Sequence, residues 1–285
     1  MIYVSSSSIR KDTMKEVIEG LYLNGFSSIE LSGGTNYYKD LEDDLIRLKR
    51  EYDLNYLCHH YFPPPLEHFV LNLASLNDVI FEKSLECLIK AIRLSKRLGA
   101  SKFSFHAGFL MDVNVDEIGN KFSLNRLYDR DKAMERFCMG FNVLEKEAME
   151  LQLYIENNVF SYSNSETYRG INPFMLTNYN EYLELKKNIE LKLLLDVGHL
   201  QVSSKSLNLD FYDELEKLIM ISDYIHLSEN DGLHDQHRCL SNSSAFFNIL
   251  RNYSLKDKTV TIEVCEDIQK VRMSYDLINE IIQSS

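Results

Sequence analysis

Eight short β-rich runs, separated by longer stretches with apolar residues at helical spacing, constrain this chain more than any single motif. The runs centre on Ile2–Val4, Ser28–Leu31, Asn55–Cys58, Lys102–Phe105, Leu153–Ile155, Lys192–Leu195, Tyr224–Ile225 and Val260–Ile262. Helical patterns cover Thr13–Leu23, Leu41–Tyr52, Val79–Leu98, Met134–Leu151, Tyr179–Lys187, Phe211–Ile221, Ala245–Leu250 and Ile268–Ile282. Alternating β and α segments predict a parallel sheet with helices outside, and eight such units predict closure into a single (β/α)8 TIM barrel. With no composition break or Pro/Gly-rich linker, residues 1–285 read as one domain. The runner-up is a doubly wound open sheet, against which stands the lack of a GxGxxG at the first helix.

Composition narrows the setting. No apolar run is long enough to span a membrane, and the N-terminus does not read as a secretion signal. Five scattered cysteines (58, 87, 138, 239, 265) without CxxC spacing read as free thiols, so a cytoplasmic protein is expected. A formal net charge of −12 disfavours a polyanion partner.

In such a barrel the chemistry sits at the C-terminal ends of the strands. His59 and His60 follow the third run and His106 follows the fourth. Glu156, Asn157 and Asn158 follow the fifth, and Asp196 with His199 the sixth. The seventh delivers His226, then Asn230, Asp231, His234, Asp235 and His237, and the eighth delivers Glu263. In an extended segment Asp235 and His237 point the same way. A single histidine here is more often structural, and a single Asp or Glu is often a helix N-cap. Yet Glu156, Asp196 and Glu263 each end an apolar strand, where an unpaired carboxylate is costly to desolvate. Lys and Arg are scarce at these ends and histidines are not, so a bound divalent metal is the expected source of positive charge. Zinc is favoured, with manganese, magnesium or cobalt as alternatives.

The ordered set HHYF, FVLNLAS, FHAG, IENN, LLLDVGHL, IHLSENDG, DQH and TIEV resembles the xylose isomerase-like barrel superfamily over essentially the whole chain. That superfamily contains sugar and sugar-phosphate isomerases and epimerases, and endonuclease IV. The resemblance implies a shared metal site of Glu156, Asp196, His226 and Glu263, with His199 beside it as ligand or substrate contact. The three-zinc cluster of endonuclease IV would add His59, His106, Asp235 and His237. His60 is the alternative to His59, which fits the family's His-x-x-aromatic spacing to Phe62. Many sugar epimerases carry an Arg after strand seven; Arg238 is one residue beyond the DxH, a loose match.

Three functions compete at this level. In the first, a metal-dependent isomerase or epimerase, Glu156 and Glu263 exchange a carbon-bound proton of a sugar or sugar phosphate, and His199 and His226 orient its oxygens. Tyr37, Tyr38, Phe62 and Phe109 are candidate pocket walls. In the second, a zinc phosphodiesterase of endonuclease IV type, the fuller ligand set clamps a phosphate. It is disfavoured by the charge and the lack of a basic stripe for nucleic acid. The third is a non-catalytic metal-binding barrel. A multi-metal enzyme acting on a small phosphate ester is also compatible with the residues. The chain is compatible with a homodimer.

Overall fold

The structure is a computed structural model that describes residues 1–244 and 246–284. Strands β1 (Ile2–Ser5), β2 (Ser28–Leu31), β3 (Asn55–His59), β4 (Lys102–His106), β5 (Gln152–Glu156), β6 (Leu193–Asp196), β7 (Tyr224–Leu227) and β8 (Thr259–Ile262) form a closed parallel barrel in sequence order. β8 returns to pair with β1. The helices between strands are α1 (Met14–Leu23), α2 (Leu41–Glu51), α3 (Asp78–Arg97), α4 (Arg130–Ala148), α5 (Tyr162–Thr167), α6 (Tyr179–Lys186), α7 (Val197–Ser206), α8 (Phe211–Ile221), α9 (Phe247–Asn252) and α10 (Ile268–Ser284). This is the (β/α)8 barrel that the alternation predicts.

Local chemistry sets the helix ends. Thr13 and Glu16 form a reciprocal capping box at the start of α1. Gly99, with φ +68°, ends the α3 segment in the left-handed conformation that favours glycine. The expected helix at Ala245–Leu250 is seen as α9, beginning at Phe247; Ala245 lies outside the described residues. Periodicity missed two helices, α5 and α7. In α7, VGHLQVSSKS, seven of the ten residues are buried, including Gly198, His199, Ser203 and Ser204. Only Gln201, Lys205 and Ser206 escape full burial, too few to make an amphipathic stripe.

Strand parity organises the barrel interior. Tyr3, Leu57, Tyr154, Leu194 and Tyr224 form a separate apolar cluster inside the barrel. Tyr154 and Tyr224 meet there edge to face, with ring centroids 5.3 Å apart. Side chains on a strand alternate between faces, so the residue two positions on also points inward, one layer closer to the C-terminal mouth. Those residues are Ser5, His59, Glu156, Asp196 and His226. The same parity takes Ser28 to Glu30, Ser104 to His106 and Thr261 to Glu263. An apolar floor thus carries a layer of polar donors.

Above the mouth, the segments after β4 and β5 share a small core of their own. Met111, Phe122, Phe160, Tyr168 and Phe174 pack together, and Phe109 bridges to Phe174. Asn72 and Asn158 anchor this cap to the barrel. The Asn158 side-chain amide donates to the carbonyls of Ala107, Gly108 and Met175, and that of Asn72 to Phe109 and Met111. Gly108 is needed here, because a Cβ would stand 2.3 Å from that of Ala74. The two long connections are therefore a built wall over the mouth.

Removing the side chain of Leu194 should leave a hole in the barrel floor and cost about 2–5 kcal/mol. Leu194→Ala should lower the urea midpoint accordingly. Met220→Ala, at a residue 63% exposed on α8, should stay within about 0.5 kcal/mol of the parent.

Candidate metal centre

The nine candidate ligands Glu156, Asp196, His226, Glu263, His59, His106, His199, Asp235 and His237 converge on the C-terminal mouth of the barrel. Glu156 is at the centre and is 1% exposed. Its Oε2 is 3.1 Å from His59 Nε2 and 3.2 Å from His106 Nδ1. Its Oε1 is 3.4 Å from His226 Nδ1 and 3.6 Å from His199 Nδ1. Glu263 Oε2 lies 3.0 Å from His226 Nδ1. Asp235 Oδ2 lies 3.2 Å from His199 Nε2 and 2.9 Å from His237 Nε2.

Asp196 has two roles. Its Oδ1 caps α7 by accepting from the His199 N–H at 2.6 Å, while Oδ2 faces the cluster without a hydrogen-bond partner. Asn157 ties the β5 and β6 ends together: its side chain donates to the Asp196 carbonyl and accepts from the Asp196 N–H. Two histidines are anchored through Nδ1. His59 Nδ1 is 2.9 Å from Ser104 Oγ, and His199 Nδ1 is 2.9 Å from the Asn157 carbonyl. Such contacts leave Nε2 of each ring for the other donors of the cluster.

Two arrangements differ from the sequence reading. His237 has φ +46°, so Asp235 and His237 converge through a left-handed turn and not through an extended segment. His234 is half-exposed and stays outside the cluster, where Asp231 holds its N–H in a turn. Asn230 instead secures the Gly198 carbonyl at the start of α7. His60 lies beside the cluster, its ring 4.8 Å from that of His106, while His59 points inward.

Burial would raise the Glu156 pKa, but the charges of His106 and His59 outweigh it and hold the carboxyl well below its usual range. Burial, together with Glu156, Asp235 and Glu263, pushes Asp196 up to about 6 against the pull of His199. Glu263 is held at about 2 because the hydrogen bond and charge of His226, and the charge of His237, overcome its burial. His106 is pushed down to about 4, chiefly by burial. His237, although buried, is raised to about 10 by its bond to Asp235 and by that residue's charge. Without an ion, protons on histidine balance the buried carboxylates.

The donor set fits a divalent ion. Glu156 Oε2, Asp196 Oδ2, His106 Nδ1, Asp235 Oδ1 and His237 Nδ1 are all buried without a hydrogen-bond partner, which an interior tolerates poorly. Two groups sharing Glu156 each bring their donor atoms within 4.8 Å of one another: His59, His106, Glu156, and Glu156, Asp196, His226, Glu263. Imidazole nitrogen with carboxylate oxygen suits zinc and its first-row neighbours.

The cluster opens into a cavity of about 940 Å³. Of the aromatic walls expected, Phe109 lines it, whereas Phe62 is buried in the main core, Tyr38 packs against that core and bonds to Asp44, and Tyr37 is exposed. Tyr61, Phe69 and Phe122 take their place, from loops that strand-end reasoning does not reach. Lys121 is the one Lys or Arg among the described residues of the lining. Glu30 on β2, wholly buried, also joins the cluster; sequence reading passed over it because it lies inside the strand SIEL and not at its end. Strand parity would have found it, since Ile29 and Leu31 pack in the core outside the barrel and leave Glu30 facing in.

Residues 23–281 match the family model described as xylose isomerase-like TIM barrel. The uncharacterized protein MJ1614 of Methanocaldococcus jannaschii is 27% identical over 251 residues, covering 85% of this chain and 83% of that protein. Among solved structures, a D-tagatose 3-epimerase-like protein superposes with a TM-score of 0.74 at 18% identity, covering 99% of this chain and 97% of that one. Endonuclease IV from Thermus thermophilus superposes at 0.63 with 15% identity, covering 100% and 99%. At these identities the superpositions establish the fold that these proteins share with the chain. Among the described residues, no helix is long and apolar enough to cross a membrane.

The raised pKa of His237 has a sign that can be tested. Its folded value of about 10 exceeds the unfolded value of about 6.5. The stability it contributes is therefore full below about pH 6.5 and is lost as pH rises towards 10. In chelator-treated protein, thermal unfolding temperatures should fall across that window, and His237→Gln should flatten the fall.

Proposed function

The chain belongs to the xylose isomerase-like TIM-barrel family, and from that premise we propose that it is a metal-dependent enzyme cleaving a small phosphate ester of a sugar or polyol. The observation that carries this reading is the enclosure of Glu156. Imidazole nitrogens of four histidines surround its two oxygens at 3.1–3.6 Å, and the residue is 1% exposed. A general base must reach the proton it abstracts, and Glu156, although it borders the cavity, leaves a substrate little of its surface to touch. Glu156 belongs to two groups that would each hold an ion, one with His59 and His106 and one with Asp196, His226 and Glu263. Asp235 and His237, with His199, would extend the set. When bound there, divalent ions would polarise phosphoryl oxygens and acidify the attacking water.

The rest of the chemistry falls to the chain. Glu263, with its side chain 13% exposed, faces the cavity and can accept the proton of a water attacking phosphorus. The new O–P bond forms as the ester P–O bond breaks, and the departing alkoxide takes a proton from solvent. Lys121 can pair with the phosphate charge, while Phe109 and Phe122 exclude water behind it. A lone lysine in the lining supports a small substrate over duplex nucleic acid, which needs many phosphate contacts.

A second reading, proton transfer on a sugar between Glu156 and Glu263, is favoured by one observation. Glu156, Asp196, His226 and Glu263 bring four donor atoms within 4.8 Å of one another, enough to hold a single ion. Metal content of protein purified without chelator, paired with assays on sugar phosphates, ketoses in heavy water and abasic duplex DNA, separates the readings. Two or more ions per chain and sugar-phosphate cleavage are expected. Glu263→Gln should reduce turnover by about 10²–10⁴-fold, and His106→Ala should lower the ion count. One ion per chain with deuterium entering the ketose, indifferent to Asp235→Asn, would replace the hydrolytic reading with the isomerase one. Salt-sensitive cleavage of the DNA would overturn the small-substrate assignment.

A further inference from the structure

Glu30 is a carboxylate with no exposure to solvent, set in the barrel interior on β2. An ionised group there carries a desolvation cost that an apolar residue would avoid. Its two oxygens have different surroundings. Oε2 accepts from the Tyr224 hydroxyl and, at 2.5 Å, from Thr261 Oγ1. Oε1 lies 2.8 Å from Nε2 of His226, and neither of these two buried atoms has a hydrogen-bond partner elsewhere. Without an ion, the other nitrogen of that ring, Nδ1, donates to Glu263 at 3.0 Å, a bond that an ion would replace, and lies 3.4 Å from Glu156. Tyr224 stands two residues before His226 on β7, and Thr261 on β8 two residues before Glu263, which directly follows that strand, so the floor that holds Glu30 is continuous with the donors above it.

We infer that Glu30 is a positioning residue for His226: it takes the Nε2–H, fixing the tautomer and ring plane that present the Nδ1 lone pair to the metal centre. This deepens the reading above and rests on it only for the divalent ion at Nδ1. Glu30, His59 and His226 also bring donor atoms within 4.8 Å of one another, but the short contact to Nε2 places Glu30 as the partner of the ring and not as a ligand. Two donors on one tetrahedral zinc stand about 3.3 Å apart, given bond lengths near 2.0–2.1 Å. The 2.8 Å separation is that of an N–H···O contact. A carboxylate on the far nitrogen of a ligating histidine also strengthens that ligand.

The test uses the full chain and Glu30→Gln, which keeps the shape and an acceptor oxygen but removes the charge. Zinc affinity from chelator competition should weaken about 10–100-fold, with the number of ions per chain unchanged and circular dichroism as in the parent. Tyr224→Phe should weaken affinity less. In ¹⁵N-histidine spectra the parent should show a slowly exchanging His226 Nε2–H, with and without zinc, that Glu30→Leu abolishes. Unchanged affinity in Glu30→Gln would make Glu30 merely structural, and loss of one whole ion would make it a ligand; either overturns the inference. A parent that binds no zinc but keeps the Nε2–H resonance would sink the proposed function and leave the placement of Glu30 standing. Absence of that resonance would sink the inference alone.

Discussion

Everything at the mouth of this barrel answers to one constraint: several carboxylates are buried together and must be neutralised. Glu30, Glu156 and Asp196 are each at most 1% exposed, and Glu263 and Asp235 are largely covered. Like charges at such spacing repel, and the interior offers little water to screen them. Histidine suits this duty because each ring has two nitrogens and can face two groups at once. His226 spans Glu30 and Glu263, and His199 spans the Asn157 carbonyl and Asp235. Protons or divalent ions can supply the positive charge; the arrangement of donors accommodates both.

The barrel makes this crowding tolerable. Parallel strands in register bring every second residue to the axis, so one layer can be apolar and the next entirely polar. The tyrosine and leucine floor keeps the donors from sinking into the interior. Above them, the cap formed by the segments after β4 and β5 is tied down by Asn72 and Asn158, so the cavity walls are packed structure. Asp196 shows how closely fold and site are joined. One of its oxygens starts α7 and the other faces the cluster, so a change at that residue alters a helix end and the cluster together.

Pattern and spacing along the chain were enough to read the barrel and most of the residues that converge at its mouth. Regular alternation leaves few other ways to bury eight apolar strands, and a charged residue directly after such a strand falls at the mouth by geometry alone. His59, His106, Glu156, Asp196, His226 and Glu263 were legible for that reason. Whatever depends on distance across the axis had to come from the folded chain. Glu30 sits within its strand, and only the closing of β2 beside β3 and the inward reach of β7 show that it meets His226. The enclosure of Glu156, the left-handed turn at His237 and the wall of Tyr61, Phe69 and Phe122 come from loops and neighbours far apart in sequence. Periodicity reports which face a residue occupies. It carries no information on which other residues complete that face, and here the chemistry lies in that completion.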